Sequence, residues 1–208
     1  MSKSSCPIRV SPRKVVALNS GDEIKRTQEL EESKQLLAAQ REMYSTAKRL
    51  DCANAFVCFA VPLCVTLAQL AFPIPPGALI AVWLLTMAAG LVFPGLSAGL
   101  VKNAAQVQQA FDSKVFGVPF ENAHLCRRDV DRYADRYYAR CERKDMDPGL
   151  DGWYSADLSG IEAGEAVARC QRQNAEWTRR LLWRSVGGEV VAAVAFGALL
   201  GSLVAYLS

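Results

Sequence analysis

The sequence predicts an all-α membrane protein, and three observations carry the prediction. Residues 52–101 contain no Asp, Glu, Lys or Arg across fifty positions, and residues 190–208 contain none across nineteen more. The charged segments outside these blocks repeat with helical periodicity, so helices are expected on both sides of a bilayer boundary. The arrangement expected is a transmembrane helical hairpin, a cytosolic helical domain and a further C-terminal transmembrane helix. A soluble fold of this size would have to bury a central hairpin that has no polar face.

Residues 1–21 carry Ser, Pro and Gly without apolar periodicity and read as a flexible tail, with no secretory signal core. Residues 22–51 read as a cytosolic amphipathic helix. Leu30, Leu37, Tyr44 and Asp51 recur at seven, with Ser33, Gln40 and Ala47 between them. That seam suits either packing on the chain's own cytosolic part or pairing with a partner helix.

A helix needs about 20 apolar residues to cross roughly 30 Å of hydrocarbon. At 1.5 Å per residue, 52–72 reaches about 31 Å, 77–101 about 37 Å and 190–208 about 28 Å. Pro73-Ile74-Pro75-Pro76 breaks the helix between the first two and makes them a hairpin. Asn54, Cys58, Thr66 and Gln69 project onto one side of the first span. Such groups either hydrogen-bond to a neighbouring helix or, in an oligomer, line a pore. Gly95 and Gly99 in the second span, and Ala193, Gly197, Gly201 and Ala205 in the third, form small-residue ridges suited to close helix packing.

Residues 102–189 read as the cytosolic domain. Residues 102–116 continue the second span, 127–143 form a charged helix with Tyr133, Tyr137 and Tyr138 beside its apolar side, and 146–160 form a loop containing Trp153 and Tyr154. Burial is the commoner fate of such aromatics. Ser159 or Asp157 is placed to cap the next helix, whose seam runs Val167, Cys170, Asn174, Trp177, Leu181.

Lys and Arg flank all three spans on one side and are absent from the proline turn, which places the N-terminus and central domain in the cytoplasm. The net charge of +3 divides as +3 over 1–51, +1 over 102–186 and −1 beyond, too even for a partner that is a nucleic-acid polymer. Seven cysteines form no C-x-x-C pair, and the single histidine, His124, has only Cys126 nearby, so no metal site and no cofactor is expected. Phosphate loops, zincin helices and nucleophile elbows are missing, which points away from an enzyme and leaves no catalytic residues to name.

Several short runs resemble a known family. Leu36-Leu37-Ala38-Ala39-Gln40-Arg41 with Tyr44 and Ala47-Lys48 precede the hairpin. Phe111-Asp112, Val115 and Gly117-Val118-Pro119 follow it, then Trp153-Tyr154, then Ala168-Arg169-Cys170-Gln171-Arg172-Gln173-Asn174 with Trp177. In this order they are similar to the pore-forming four-transmembrane effectors associated with SMODS nucleotidyltransferases, shortened here to three spans. Phe120, Ser155 and Thr178 stand where the family pattern has tryptophan, proline and an acidic residue.

The resemblance implies an inner-membrane effector of a cyclic-oligonucleotide antiphage system. The cyclic oligonucleotide would come from a partner nucleotidyltransferase, and the effector would permeabilise the bilayer as a homo-oligomer. It singles out Arg169, Gln171, Arg172, Asn174, Trp177, Trp153 and Tyr154 for ligand contact or gate coupling. The alternative is a membrane-anchored scaffold or interaction protein with no pore activity.

Overall fold

The computed structural model describes residues 18–120, 126–183 and 194. In chain order these form α1 (Gly21–Gln28), α2 (Glu31–Ala55), a π-helical turn (Phe56–Ala60), α3 (Val61–Ala71), α4 (Pro76–Phe116), α5 (Arg127–Arg143) and α6 (163–183). No β-strand forms among the described residues. The third predicted span, with Ala193, Gly197, Gly201 and Ala205, lies outside them, as does His124. Two compact units divide the chain: residues 23–153 with the segment before Ser20, and Ser20–Asp22 with the chain from Tyr154 onward.

The helix predicted as continuous over 22–51 is interrupted at Glu29 and Leu30. The reason lies in its buried face. Ile24 and Gln28 of α1 are buried, and continuing their helical phase would bury Glu31 and Glu32 next. The break resets the phase so that Ser33 and Leu37 are buried instead, while Glu31 and Glu32 occupy the first turn of α2 and complement its dipole. Ser33 Oγ donates to Thr27 O at 2.7 Å across the break. The heptad seam therefore splits. Ser33, Leu37, Gln40 and Ala47 are buried, whereas Leu30 and Tyr44 are exposed.

Within the first unit α2 packs on α4 and α5. Leu37, Ala38, Ala39 and Met43 meet a face of α4 built from Ala104, Val107, Phe111 and Val115, and Val130, Ala134, Tyr137 and Cys141 give α5 its buried side. The alanines bring the backbones close, and each fully buried large side chain contributes roughly 1.5–3 kcal/mol. α4 ends where Gly117 turns into the left-handed region at φ 74°. The Val118 N–H then reaches back to Ser113 O at 2.8 Å, and Pro119 prevents further helix. The Gly117-Val118-Pro119 run is thus a helix stop.

The two spans are the opposite of a core. The most apolar stretches of the helices Glu31–Gln69 and Pro76–Phe116 are 0% and 6% buried, and Phe59, Trp83, Leu85, Met87 and Leu91 stand on the surface. Such a surface needs hydrocarbon rather than water around it. Each span continues without a break into the packed helical core: α2 runs through the π-turn into α3, and α4 is one helix of 41 residues. As expected, residues 102–116 prolong the second span.

The polar stripe of the first span is divided by the π-turn. Val61 N–H bonds to Phe56 O, five residues back, directly before Pro62, which has no N–H to give. One residue inserted into the turn rotates everything after it by about 100°. Cys58 accordingly lies 3.3 Å from Asn54 Oδ1 and 3.6 Å from Thr86 O of α4, whereas Thr66 and Gln69 are exposed. Thr66 Oγ1 donates to Pro62 O at 2.8 Å.

The glycines divide similarly. A Cβ on Gly90 would meet Cys58 Sγ at 3.6 Å, but at Gly95 and Gly99 it would meet nothing within 4 Å. Within the chain the close helix contact is made at Gly90, and the Gly95–Gly99 ridge is open.

In the second unit neither Ser159 nor Asp157 caps α6, which begins at 163. Asp157 Oδ1 accepts from the Ser159 N–H at 3.2 Å, and Gly160, at φ 66°, turns the chain before the helix starts. Gly21 N–H donates to Ile161 O at 3.3 Å, and a Cβ there would lie 1.9 Å from Leu158 O, so only glycine fits that approach. The α6 seam is buried at Cys170 and half-buried at Val167 and Asn174, whereas Trp177 and Leu181 are exposed.

Candidate functional sites

The Ala39-Gln40-Arg41 run sits where α2, α4, α5 and the following loop meet. Gln40 Nε2 donates to Gln108 Oε1 of α4 at 2.9 Å. Arg41 Nη1 donates to Tyr137 Oη at 3.0 Å and to Pro148 O at 2.8 Å, and its guanidinium lies 5.2 Å from the Trp153 ring. Trp153 in turn meets Phe111 edge-on at 6.3 Å. Arg41 of α2 therefore ties the loop to α5 through two hydrogen bonds and a cation–π contact, and the Trp153 ring carries the tie on to Phe111 of α4.

The same loop is tethered again at its tip. Lys34 pairs with Asp151 and, at 3.0 Å, with Glu29, and Glu29 Oε1 accepts from the Gly152 N–H at 2.8 Å. The hydrogen bonds Lys34 donates to the Asp151 and Glu29 carboxylates raise its pKa, and the bond from Lys34 holds the Asp151 carboxyl below its ordinary value. Deeper in the interface, Glu42 is 5% exposed and lies between two arginines. Arg49 Nη2 is 2.6 Å from Oε1, and Arg140 Nη2 is 2.7 Å from Oε2.

A cleft of about 330 Å³ opens between α2, α4 and α5. Glu32, Gln35 and Leu36 line it from α2, Ala110, Ser113 and Lys114 from α4, and Arg127, Val130 and Asp131 from α5, with Val118 and Phe120 completing the wall. Each helix contributes positions i, i+3 and i+4, one face apiece. Lys114 pairs with Glu32 at the rim. The Lys114 hydrogen bond and charge, and more weakly Arg127, hold the Glu32 carboxyl below its ordinary range. The sequence signal for this cleft was three separate helix faces, and nothing in the sequence indicated that they converge.

The residues singled out by resemblance fall in two places. Trp153 belongs to the first unit, at the Arg41 cluster. In the second unit Tyr154 is 1% exposed, and its hydroxyl accepts from Asn174 Nδ2 at 2.9 Å. Arg169, Arg172 and Trp177 line an open groove of about 680 Å³ with Ser155, Ala156, Gln173, Glu176 and Arg180. Two of its arginines hold i,i+4 partners: Arg169 with Glu165 at 2.7 Å and Arg172 with Glu176 at 3.3 Å. Exposed pairs of this kind are worth a few tenths of a kcal/mol, roughly, and exchange readily for another anion. Gln171 is exposed and does not line the groove.

Comparison with known proteins gives one family. Residues 22–208 match the model of the SMODS-associating 4TM effector domain. No curated protein and no solved structure matches the chain. The match begins at the residue after Gly21 and includes the hairpin, the Arg41 cluster, the three-helix cleft and α6. With two bare apolar helices prolonged into a packed helical core, the chain belongs to the SMODS-associating 4TM effector family and is a membrane effector of that class.

Proposed function

We propose that this chain is the membrane-acting arm of a bacterial antiphage system: it sits in the inner membrane with α2, α5 and α6 in the cytoplasm and permeabilises the bilayer when a cyclic oligonucleotide appears. The observation that carries this reading is the family match over 22–208 on a chain whose two spans are continuous with the cytosolic helices α2 and α4. A displacement of α2 against α4 in the cytosol therefore needs no hinge to reach the membrane. The reading gives the chain no catalytic step. The active form is a homo-oligomer, supported by the exposed Thr66 and Gln69 and the open Gly95–Gly99 ridge, which a second copy can cover.

The signal must bind the active arrangement better than the resting one. Moving the population from 1:99 to 99:1 takes about a 10⁴-fold difference in affinity. The test is induced expression in bacteria with an active nucleotidyltransferase, or with a catalytically dead one, while a membrane-potential dye is followed. Depolarisation with the active enzyme alone is expected. An unchanged potential with both would leave a membrane-anchored interaction protein and remove the effector mechanism stated here.

A further inference from the structure

Resting on the nucleotide-responsive reading above, we infer that the signal is received in the cleft between α2, α4 and α5. That cleft takes one nucleotide moiety of the cyclic oligonucleotide, its base against Leu36, Val118, Phe120 and Val130 and its phosphate between Lys114 and Arg127.

Glu32 lies in the cleft paired with Lys114, and Arg127 lines the same cleft. A phosphate oxygen that takes the place of that carboxylate gains Lys114, with Arg127 as the second cation of the wall. Glu32 holds Lys114 loosely, since its side chain is 66% exposed and an exposed pair is readily exchanged. The ion pair of Arg127 with Asp131 is long, at 4.0 Å, and both side chains are at least half exposed, so it too exchanges readily. A phosphate diester brings a permanent charge and two unesterified oxygens, so it competes well for an ammonium and a guanidinium together.

The rest of the cleft suits a base. Phe120 and Val130 are buried and apolar, and the Ser113 hydroxyl and Gln35 amide offer polar groups for a ring edge. At about 330 Å³ the cavity is of the size that holds small ligands. By contrast, the groove along α6 is open, and two of its arginines already have acidic partners.

Position completes the argument. The Lys114–Glu32 pair clasps the cytosolic end of α4 to that of α2, the two helices that become the membrane hairpin. A ligand that takes Lys114 from Glu32 opens that clasp, so binding and release of the hairpin are one event. Glu32 is then a competitor of the ligand, which gives its substitution an unusual sign.

The experiment measures equilibrium binding of radiolabelled cyclic di- and trinucleotides, carrying adenine, guanine or uracil, to the full chain in detergent micelles. At least one should bind. Lys114→Gln and Arg127→Gln should weaken it tenfold or more, Lys114→Arg should restore most of the affinity, and Arg136→Gln on the outer side of α5 should leave it unchanged. Glu32→Gln should tighten binding several-fold although it deletes an ion pair, a result that no loss of folding produces. If Glu32→Gln weakens binding as Lys114→Gln does, the pair is only structural and the assignment is wrong. Loss of binding on Arg169→Gln or Arg172→Gln, with Lys114 and Arg127 variants unaffected, would move the ligand to α6 and leave the nucleotide reading intact. Failure of the wild-type chain to bind any of these nucleotides would overturn both.

Discussion

At the scale of the residue, the arginines fall into distinct classes that composition cannot separate. Arg49 and Arg140 both reach Glu42, but the Arg49 side chain is 61% exposed and that of Arg140 26%. Arg140 also donates to Ser45 Oγ at 2.8 Å and covers the Tyr137 ring at 5.4 Å. Arg49→Ala should therefore cost under about 1 kcal/mol. Arg140→Ala, which leaves a buried carboxylate with only its exposed partner, should cost about 2–3 kcal/mol, below the full value for a wholly buried pair. Thermal unfolding of the two variants in the same detergent checks the order, and equal shifts would contradict it. None of this was legible in the sequence, where Arg41 and Arg49 read alike as positive charge before the first span and Arg140 as one charge of a charged helix. Arg41 and Arg140 depend on partners about a hundred positions away, whereas Arg49 meets Glu42 on its own helix.

At the scale of the element, faces were legible and phases were not. The α5 boundaries and the loop that follows came directly from periodicity and from Pro148, Gly149 and Gly152. The break between α1 and α2 and the π-turn in the first span did not, because each is a shift of one or two residues that helical periodicity does not mark. The α1–α2 break keeps Glu31 and Glu32 out of the core, and the π-turn accommodates Pro62. In the hairpin, Gly90→Leu should force α3 and α4 apart at Cys58, whereas Gly95→Leu should leave hairpin formation intact. Disulfide trapping between Cys58 and a cysteine at Thr86 reads the difference: it should fail in the first variant and persist in the second. The loop tether carries a pH signature. Asp151 is held below its ordinary value, so its contribution is complete above that value and is lost as pH falls through the folded one. Lys34 is raised, so its contribution is complete below the ordinary lysine value and is lost as pH rises through the folded one. Loop docking should be constant between about pH 5 and pH 10 and weaken on either side. With the other tryptophans replaced by phenylalanine, Trp153 emission should follow that profile, and Asp151→Asn should abolish the acid limb.

At the scale of the whole molecule, the fold class needed only the absence of charge over residues 52–101, since a helical hairpin without a polar face has few alternatives to a bilayer. Leu91, 78% exposed near the middle of the second span, tests it: Leu91→Arg should cost roughly 2.5–3.5 kcal/mol of insertion free energy and shift the chain from the alkali-resistant membrane fraction to the soluble or degraded one. The meeting of three helix faces at one cleft was not legible, because spacing fixes which residues share a helix face and says nothing of which faces meet. The continuity of α4 has a mechanical consequence. With Gly90 against Cys58 as the fulcrum, the arm to Lys114 is about 36 Å long and the arm to Pro76 about 21 Å at 1.5 Å per residue. A rigid helix pivoting there is a lever with unequal arms: a swing of a few ångströms at the Lys114 end becomes a little over half that stroke at the Pro76 end.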